Sequence, residues 1–125
     1  MKILLVSATE FEIEPFLNNK DIDILICGIG SPATIYHLTK KLFESKYDLV
    51  IQAGIAGTFS KKIKKGETIV IQKDVFADIG AEEKGEFKTV FQLGFGHENK
   101  FPYTSGWLNN DSSIFKTLPL KKYQA

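Results

Sequence analysis

One cysteine, one tryptophan and two histidines among 125 residues remove several chemistries at the outset. Cys27 alone cannot close an internal disulfide, so a stapled secreted scaffold is excluded and a reducing cytoplasm is the expected home. His97 lies in a glycine-rich stretch with no Cys or His at ligand spacing, and His37 falls on the charged side of a helix. No metal centre is expected from them, and no Ser-His-Asp or Cys-His arrangement can be assembled. Long apolar runs are absent too. None approaches the ~20 residues that a membrane helix needs. Met1 to Val6 is too brief for a signal peptide and runs straight into Glu10, Glu12 and Glu14. A formal charge of +1 gives no general reason to expect nucleic acid or an anionic membrane as partner.

What remains is an ordinary globular composition, 43% hydrophobic and 25% charged, in a length suited to one domain spanning residues 1–125. Strand and helix alternate at first. Lys2 to Ser7 reads as a buried strand, and Thr9 as an N-cap with Glu12 at capping-box spacing. A short helix follows over Glu10 to Leu17, interrupted by Pro15. Ile22 to Cys27 is a second buried strand ending at Gly28-Ile29-Gly30. Ser31 then caps a helix with Pro32 at its first position, running to about Ser45 with Ile35, Leu38 and Leu42 toward the sheet. Leu49 to Ile51 reads as a third, fully buried strand. This order predicts an α/β fold with a largely parallel sheet. Beyond it come the basic turn Lys61 to Gly66, alternation over Glu67 to Asp74, a charged glycine-bearing stretch from Gly80 to Gly96 and an aromatic loop to Asn110. Asp111 caps a last short helix ending at Pro119.

The third strand feeds Ala53-Gly54-Ile55-Ala56-Gly57, a turn of mostly small residues at a strand's carboxyl end, where open α/β sheets bind ligands. Small residues there let backbone N–H groups approach a ligand. Gly28-Ile29-Gly30-Ser31-Pro32-Ala33 fits a dinucleotide pattern. That reading needs an acidic residue at the end of the next strand, whereas Asp48 stands at its beginning. A tight turn beside some other ligand is the better reading. Glu10, Glu12 and Glu14 are either solvated carboxylates of a first helical turn or include a general base, if burial raises a pKa. Asp74, Asp78, Glu82 and Glu83 lack a ligand spacing and read as surface charge. Phe95, Phe101, Tyr103 and Trp107 form either a core lid or a partner patch.

Three segments in order carry a resemblance: Met1 to Ile13, Gly28-Ile29-Gly30, and Gln52-Ala53-Gly54-Ile55-Ala56-Gly57. Together they resemble the purine nucleoside phosphorylase and nucleosidase superfamily. Within it the chain looks most like the futalosine hydrolases, nucleosidases of menaquinone biosynthesis. That narrower likeness rests on Ile55, on Asp74 to Glu82, on Leu93-Gly94-Phe95 and on Pro102 to Leu108. The methylthioadenosine/S-adenosylhomocysteine nucleosidases usually carry serine where Ile55 stands. The phosphorylases usually place a glycine- and arginine-bearing phosphate loop where this chain has Thr9-Glu10-Phe11-Glu12.

The resemblance implies a three-layer αβα fold around a central mixed, largely parallel sheet, and hydrolysis of a purine nucleoside's N-ribosidic bond without a cofactor or metal. Glu12 would activate the water. Gly28, Ile29 and Gly30 would lie near the sugar's 5′ end, and Ala53, Gly54, Ile55, Ala56 and Gly57 would floor the sugar and base. Family members commonly pair, so a homodimer or higher homo-oligomer is implied. The likeness covers the first half of a usual family chain, cut off after Leu118-Pro119-Leu120-Lys121-Lys122. The half that grips the ribose and protonates the leaving base has no position here, which implies a truncated chain with impaired turnover and an exposed sheet edge. A methylthioadenosine/S-adenosylhomocysteine-type nucleosidase, a phosphorylase, and a non-catalytic purine- or ribose-binding or oligomerisation module stay open as alternatives.

Overall fold

A computed structural model describes residues 1–117 and 119–124, in two compact units, Met1–Ser60 and Lys61–Ala125. The first unit follows the sequence reading. Strand β1 (Ile3–Ser7), a 3-10 segment (Phe11–Phe16), strand β2 (Asp23–Ile26), helix α1 (Ser31–Glu44) and strand β3 (Leu49–Gln52) succeed one another. The strands form an all-parallel sheet in the order β2-β1-β3. This is an α/β unit.

Position in that sheet decides burial. β1 has a neighbour on each side, and Leu4, Leu5, Val6 and Ser7 are all buried. Leu4, Val6 and Cys27 form the core, with Leu25, Leu38 and Tyr47 packed against it. The fully buried reading of β3 is corrected. It is an edge strand, and Val50 and Ile51 remain 39% and 41% exposed. β2, at the other edge, is half-buried along its length.

Local chemistry accounts for the remaining differences. The short helix expected over Glu10 to Leu17 is a 3-10 segment broken at Ile13 (φ −127°, ψ 22°), two residues before Pro15. The cap of α1 is Gly30, not Ser31; Gly30 takes φ +95°, and Ser31 and Pro32 are already helical. Of the three residues expected to face the sheet, only Leu38 packs on the core. Ile35 and Leu42 are exposed, while Ala33, Thr34 and Lys41 are half-buried. The helix is therefore rolled by about one position from its apolar stripe, bringing Lys41 close enough to help stabilise the Asp23 carboxylate.

Polar contacts tie the amino ends of the strands together. The Tyr47 hydroxyl donates to Asp23 at 2.6 Å, the Lys2 ammonium lies 3.6 Å from Asp23, and the Lys2 N–H donates to Asp48 at 2.6 Å. The Lys2 ammonium also sits 4.6 Å from the centre of the Tyr47 ring.

In the second unit β4 (Ile69–Asp74) pairs in parallel with β9 (Lys121–Gln124) and antiparallel with β8 (Trp107–Asn109), which pairs with β7 (Tyr103–Thr104). β5 (Gly80–Glu83) and β6 (Glu86–Thr89) make a separate antiparallel hairpin. Helix α2 spans Ser113–Thr117; Leu118, within the segment expected to continue to Pro119, lies outside the described residues. Among the described residues the strands thus fall into three sheets. Phe91 meets Tyr103 edge-on at 5.1 Å.

The burial pattern sets a mutational contrast. Leu4→Ala removes a side chain with 0% exposure and is expected to cost about 2–5 kcal/mol in urea unfolding followed by circular dichroism. Ile35→Ala, at a position 63% exposed, is expected to stay within about 0.5 kcal/mol.

Candidate active site

Parallel strands bring their carboxyl ends to one edge, and in this sheet the pairing runs past the regular strands. The Cys27 N–H donates to the Ser7 carbonyl at 2.9 Å, the Gly28 N–H to the Ala8 carbonyl at 3.1 Å, and the Ala53 N–H to the Val6 carbonyl at 2.9 Å. The segments Ser7-Ala8, Cys27-Gly28 and Gln52-Ala53 therefore lie side by side. Asp48 lies at the opposite edge, bonded to Lys2, so the acidic residue of a dinucleotide site is missing where it would be needed.

Glu12 is directed onto this edge by its neighbour. Ile13 is 1% exposed and anchors the 3-10 segment, its N–H bonded to the Glu10 carbonyl at 3.1 Å. Glu10 and Glu14 face outward, and Glu12 alone of the three turns back over the sheet. Its Oε2 accepts from the Thr9 N–H and the Thr9 hydroxyl, each at 3.0 Å, and from the Ser7 hydroxyl at 3.3 Å. Its Oε1 accepts from the Ile55 N–H at 3.1 Å. The capping-box spacing is half realised: Glu12 reaches back to the Thr9 N–H, while the Thr9 hydroxyl binds the carboxylate instead of a backbone donor.

Gly54 is required here for space. A Cβ on it would stand 2.8 Å from Glu12 Oε1 and 3.5 Å from the carboxyl carbon. Any larger residue pushes the carboxylate away from the Ile55 N–H. The small-residue turn was expected to admit a ligand, and what it admits here is the Glu12 carboxylate of the same chain.

Electrostatically the site runs opposite to one expectation. A general base was to have its pKa raised by burial. Instead the Ile55 N–H, followed by the Thr9 hydroxyl, holds the Glu12 carboxyl below the ordinary carboxylate value, outweighing the opposing effect of burial. Donors to the charged form favour it, and Glu12 is an ionised acceptor at neutral pH.

The other expected site residues are placed unevenly. Gly54 and Ile55 touch Glu12 through space and through the backbone. Gly28 (φ +83°) and Gly30 form the turn into α1, with Gly28 bonded to Ala8 on the neighbouring strand end. Ala53 is the last residue bonded to β1, and the side chains of Ile29 and Ile55 stand out into solvent. Ala56 and Gly57 continue without regular structure, and nothing lies within 4 Å of a Cβ built on Gly57. Ser7 and Thr9 were missed as site residues. Their signal was a hydroxyl closing the apolar run Ile3 to Val6 and the cap spacing to Glu12.

Elsewhere the carboxylates at Asp74, Asp78, Glu82 and Glu83 are exposed, and Glu83 pairs with Lys88. Among the described residues no group of three or more His, Cys, Asp or Glu is arranged to hold a metal. No helix among them is long and apolar enough to cross a membrane. The aromatic loop divides: Tyr103 packs on Phe91 and Trp107 lies under the Lys73 ammonium, whereas Phe95 and Phe101 are exposed.

Sequence comparison relates this chain to the nucleosidase superfamily. It is 35% identical over 85 residues to the futalosine hydrolase of Streptomyces coelicolor, across 64% of this chain and 36% of that one. It is 33% identical over 96 residues to the 5′-methylthioadenosine/S-adenosylhomocysteine nucleosidase of Haemophilus influenzae, across 69% of this chain and 42% of that one. The matched segments thus span well under half of either relative. No family model matches the chain, and no solved structure matches it.

A carboxyl whose pKa is lowered by folding adds stability above its unfolded value, about 4.3 for Glu, and loses it as pH falls through the lowered value. The stability of the wild type is therefore expected to fall with pH from about 4.3 through the lowered value, and Glu12→Gln to flatten part of that dependence. Asp23→Asn is expected to flatten another part, since Asp23 is lowered chiefly by the Tyr47 hydroxyl. Gly54→Ala is expected to fold with a reduced melting temperature and to lose the Glu12 contribution to that pH dependence, because its methyl displaces the carboxylate end.

Proposed function

We propose that the protein is a nucleosidase that hydrolyses the N-ribosidic bond of a purine nucleoside, with futalosine as substrate and hypoxanthine as the released base. The observation that carries this reading is the Glu12 carboxylate bound to the Ile55 N–H beside Gly54, at the carboxyl edge of a parallel sheet. An ionised carboxylate there can orient a water and take its proton as the water oxygen bonds to C1′ and the C1′–N bond breaks. The departing purine takes a proton at the same time. Among the described residues none is placed in that second role. Gly28, Ile29 and Gly30 line the sugar's 5′ end, and Ala53 to Gly57 form the floor beneath sugar and base.

Water rather than phosphate is the nucleophile. The acidic segment Thr9-Glu10-Phe11-Glu12 stands where the phosphorylases usually carry their phosphate loop, and none of the chain's 16 basic residues is arginine. Futalosine is favoured by Ile55, whose side chain stands free to line an apolar pocket, where the methylthioadenosine-type enzymes usually carry serine. Identities of 35% and 33% do not separate the two relatives. The same reading carries the three-layer αβα fold, in which the β2-β1-β3 sheet bears the site, and a homo-oligomeric, cytoplasmic enzyme. Exposed Ile35, Tyr36, Leu42 and Phe43 along α1 support association.

The test is chromatographic assay of the full-length protein with futalosine, methylthioadenosine and inosine, with and without phosphate. Hypoxanthine released from futalosine at a rate indifferent to phosphate is the expected result. Adenine released from methylthioadenosine with futalosine untouched transfers the substrate to the other nucleosidase class, and a phosphate requirement overturns hydrolysis.

A further inference from the structure

We propose that Thr9, with Ser7 behind it, is a positioning residue that reserves one oxygen of the Glu12 carboxylate, Oε1, for the reacting water. The inference rests on the nucleosidase reading and adds to it a division of labour between the two oxygens. A carboxylate oxygen has about two acceptor sites. Those of Oε2 are filled by the Thr9 N–H and the Thr9 hydroxyl, each at 3.0 Å. The Ser7 hydroxyl, 3.3 Å from Oε2, also lies 3.1 Å from the Thr9 carbonyl and has a single proton to share between them. It contributes less than Thr9. Oε1 accepts from the Ile55 N–H alone among the described partners, which leaves it one acceptor site.

The clamp matters because a glutamate's last torsion is broad and nearly two-fold. Without donors on Oε2 the carboxylate swivels, and the two oxygens exchange places on a low barrier. With Thr9 in place, such a rotation breaks two bonds to the same residue at once. Ile55 fixes the plane from the turn after β3, and Thr9 fixes it from the segment after β1. Oε1 is then presented in one orientation at the edge where Gly54 keeps the backbone free of a side chain. The groups facing the carboxylate are Thr9, Ser7 and the Ile55 N–H, none of them charged. Cys27, the residue after β2, turns its thiol to the Ser7 carbonyl at 3.1 Å.

The test combines two readouts on the full-length protein. One is a carbon-13 NMR titration of the glutamate side-chain carboxyls, with Glu12 assigned by its loss in Glu12→Gln. The other is the pH profile of kcat/KM for futalosine hydrolysis. Thr9→Val keeps the volume and removes the hydroxyl donor. Its Glu12 midpoint is expected to rise toward the ordinary carboxylate range, and the acid limb of kcat/KM to follow it to higher pH. At the pH optimum kcat is expected to fall ~10-fold with KM little changed, a loss of orientation rather than of binding. Thr9→Ser, which restores the oxygen, is expected to return both readouts to wild type, and Ser7→Ala to shift them less than Thr9→Val. An active wild type whose Glu12 midpoint and kcat are indifferent to Thr9→Val overturns the inference while leaving the nucleosidase reading intact. Should Thr9→Val not fold, Ser7→Ala and Thr9→Ser decide: unchanged readouts in Ser7→Ala together with a lost acid limb in Thr9→Ser overturn it. A wild type inert toward all three nucleosides, with Glu12 still shifted by Thr9→Val, overturns the nucleosidase reading and with it the role of Oε1.

Discussion

The bond from the Ile55 N–H to the Glu12 carboxylate spans 43 residues of sequence and joins the segments that follow β1 and β3 at the carboxyl edge of the sheet. Almost every other feature of the first unit is a condition for it. β1 must lie between β2 and β3 for its exit to meet the exit of β3. Ile13 must be buried for Glu12 to turn back over the sheet. Residue 54 must be glycine, because a Cβ there would meet Oε1 at 2.8 Å. The interaction also sets the chemistry, since a carboxylate held by backbone and hydroxyl donors stays ionised and can only accept.

The sheet is polarised in consequence. Its amino edge is closed by the contacts of Lys2, Asp23, Tyr47 and Asp48, which satisfy one another. At its carboxyl edge the satisfied groups of Glu12 lie on Oε2, while Oε1 retains capacity. In open parallel sheets the carboxyl edge is where ligands generally bind. The relatives named as a futalosine hydrolase and as a methylthioadenosine/S-adenosylhomocysteine nucleosidase match over the greater part of this chain.

Much of the first unit was legible because its signals are local. The apolar run Ile3 to Val6, the Gly28-Ile29-Gly30 turn and the small residues after Gln52 each imply their conformation without reference to distant residues. Burial was less legible, because it depends on who covers whom. Leu49 to Ile51 has the composition of a central strand and sits at an edge, and the apolar stripe of α1 is rolled away from the core by one position. The Glu12 site was half legible. A carboxylate cluster after the first strand and the cap spacing from Thr9 could be read, while Glu12 was set apart from Glu10 and Glu14 by the resemblance alone. The direction of its pKa shift could not be read, because the deciding donor is a backbone N–H contributed from the turn after β3. The hairpins β5-β6 and β7-β8 were hidden for a different reason. Their strands are two to four residues long, too short for an alternation to register.

The most direct test of the central claim is the turnover of Glu12→Gln in the full-length protein, measured with futalosine at saturating concentration. The amide keeps the size of the side chain and an oxygen for the Ile55 N–H, but it cannot take a proton from water. Purine release is expected to fall by ~10²–10⁴-fold while the protein remains folded and still binds the nucleoside. Turnover within a few-fold of wild type would contradict the assignment of Glu12 as the water-activating base.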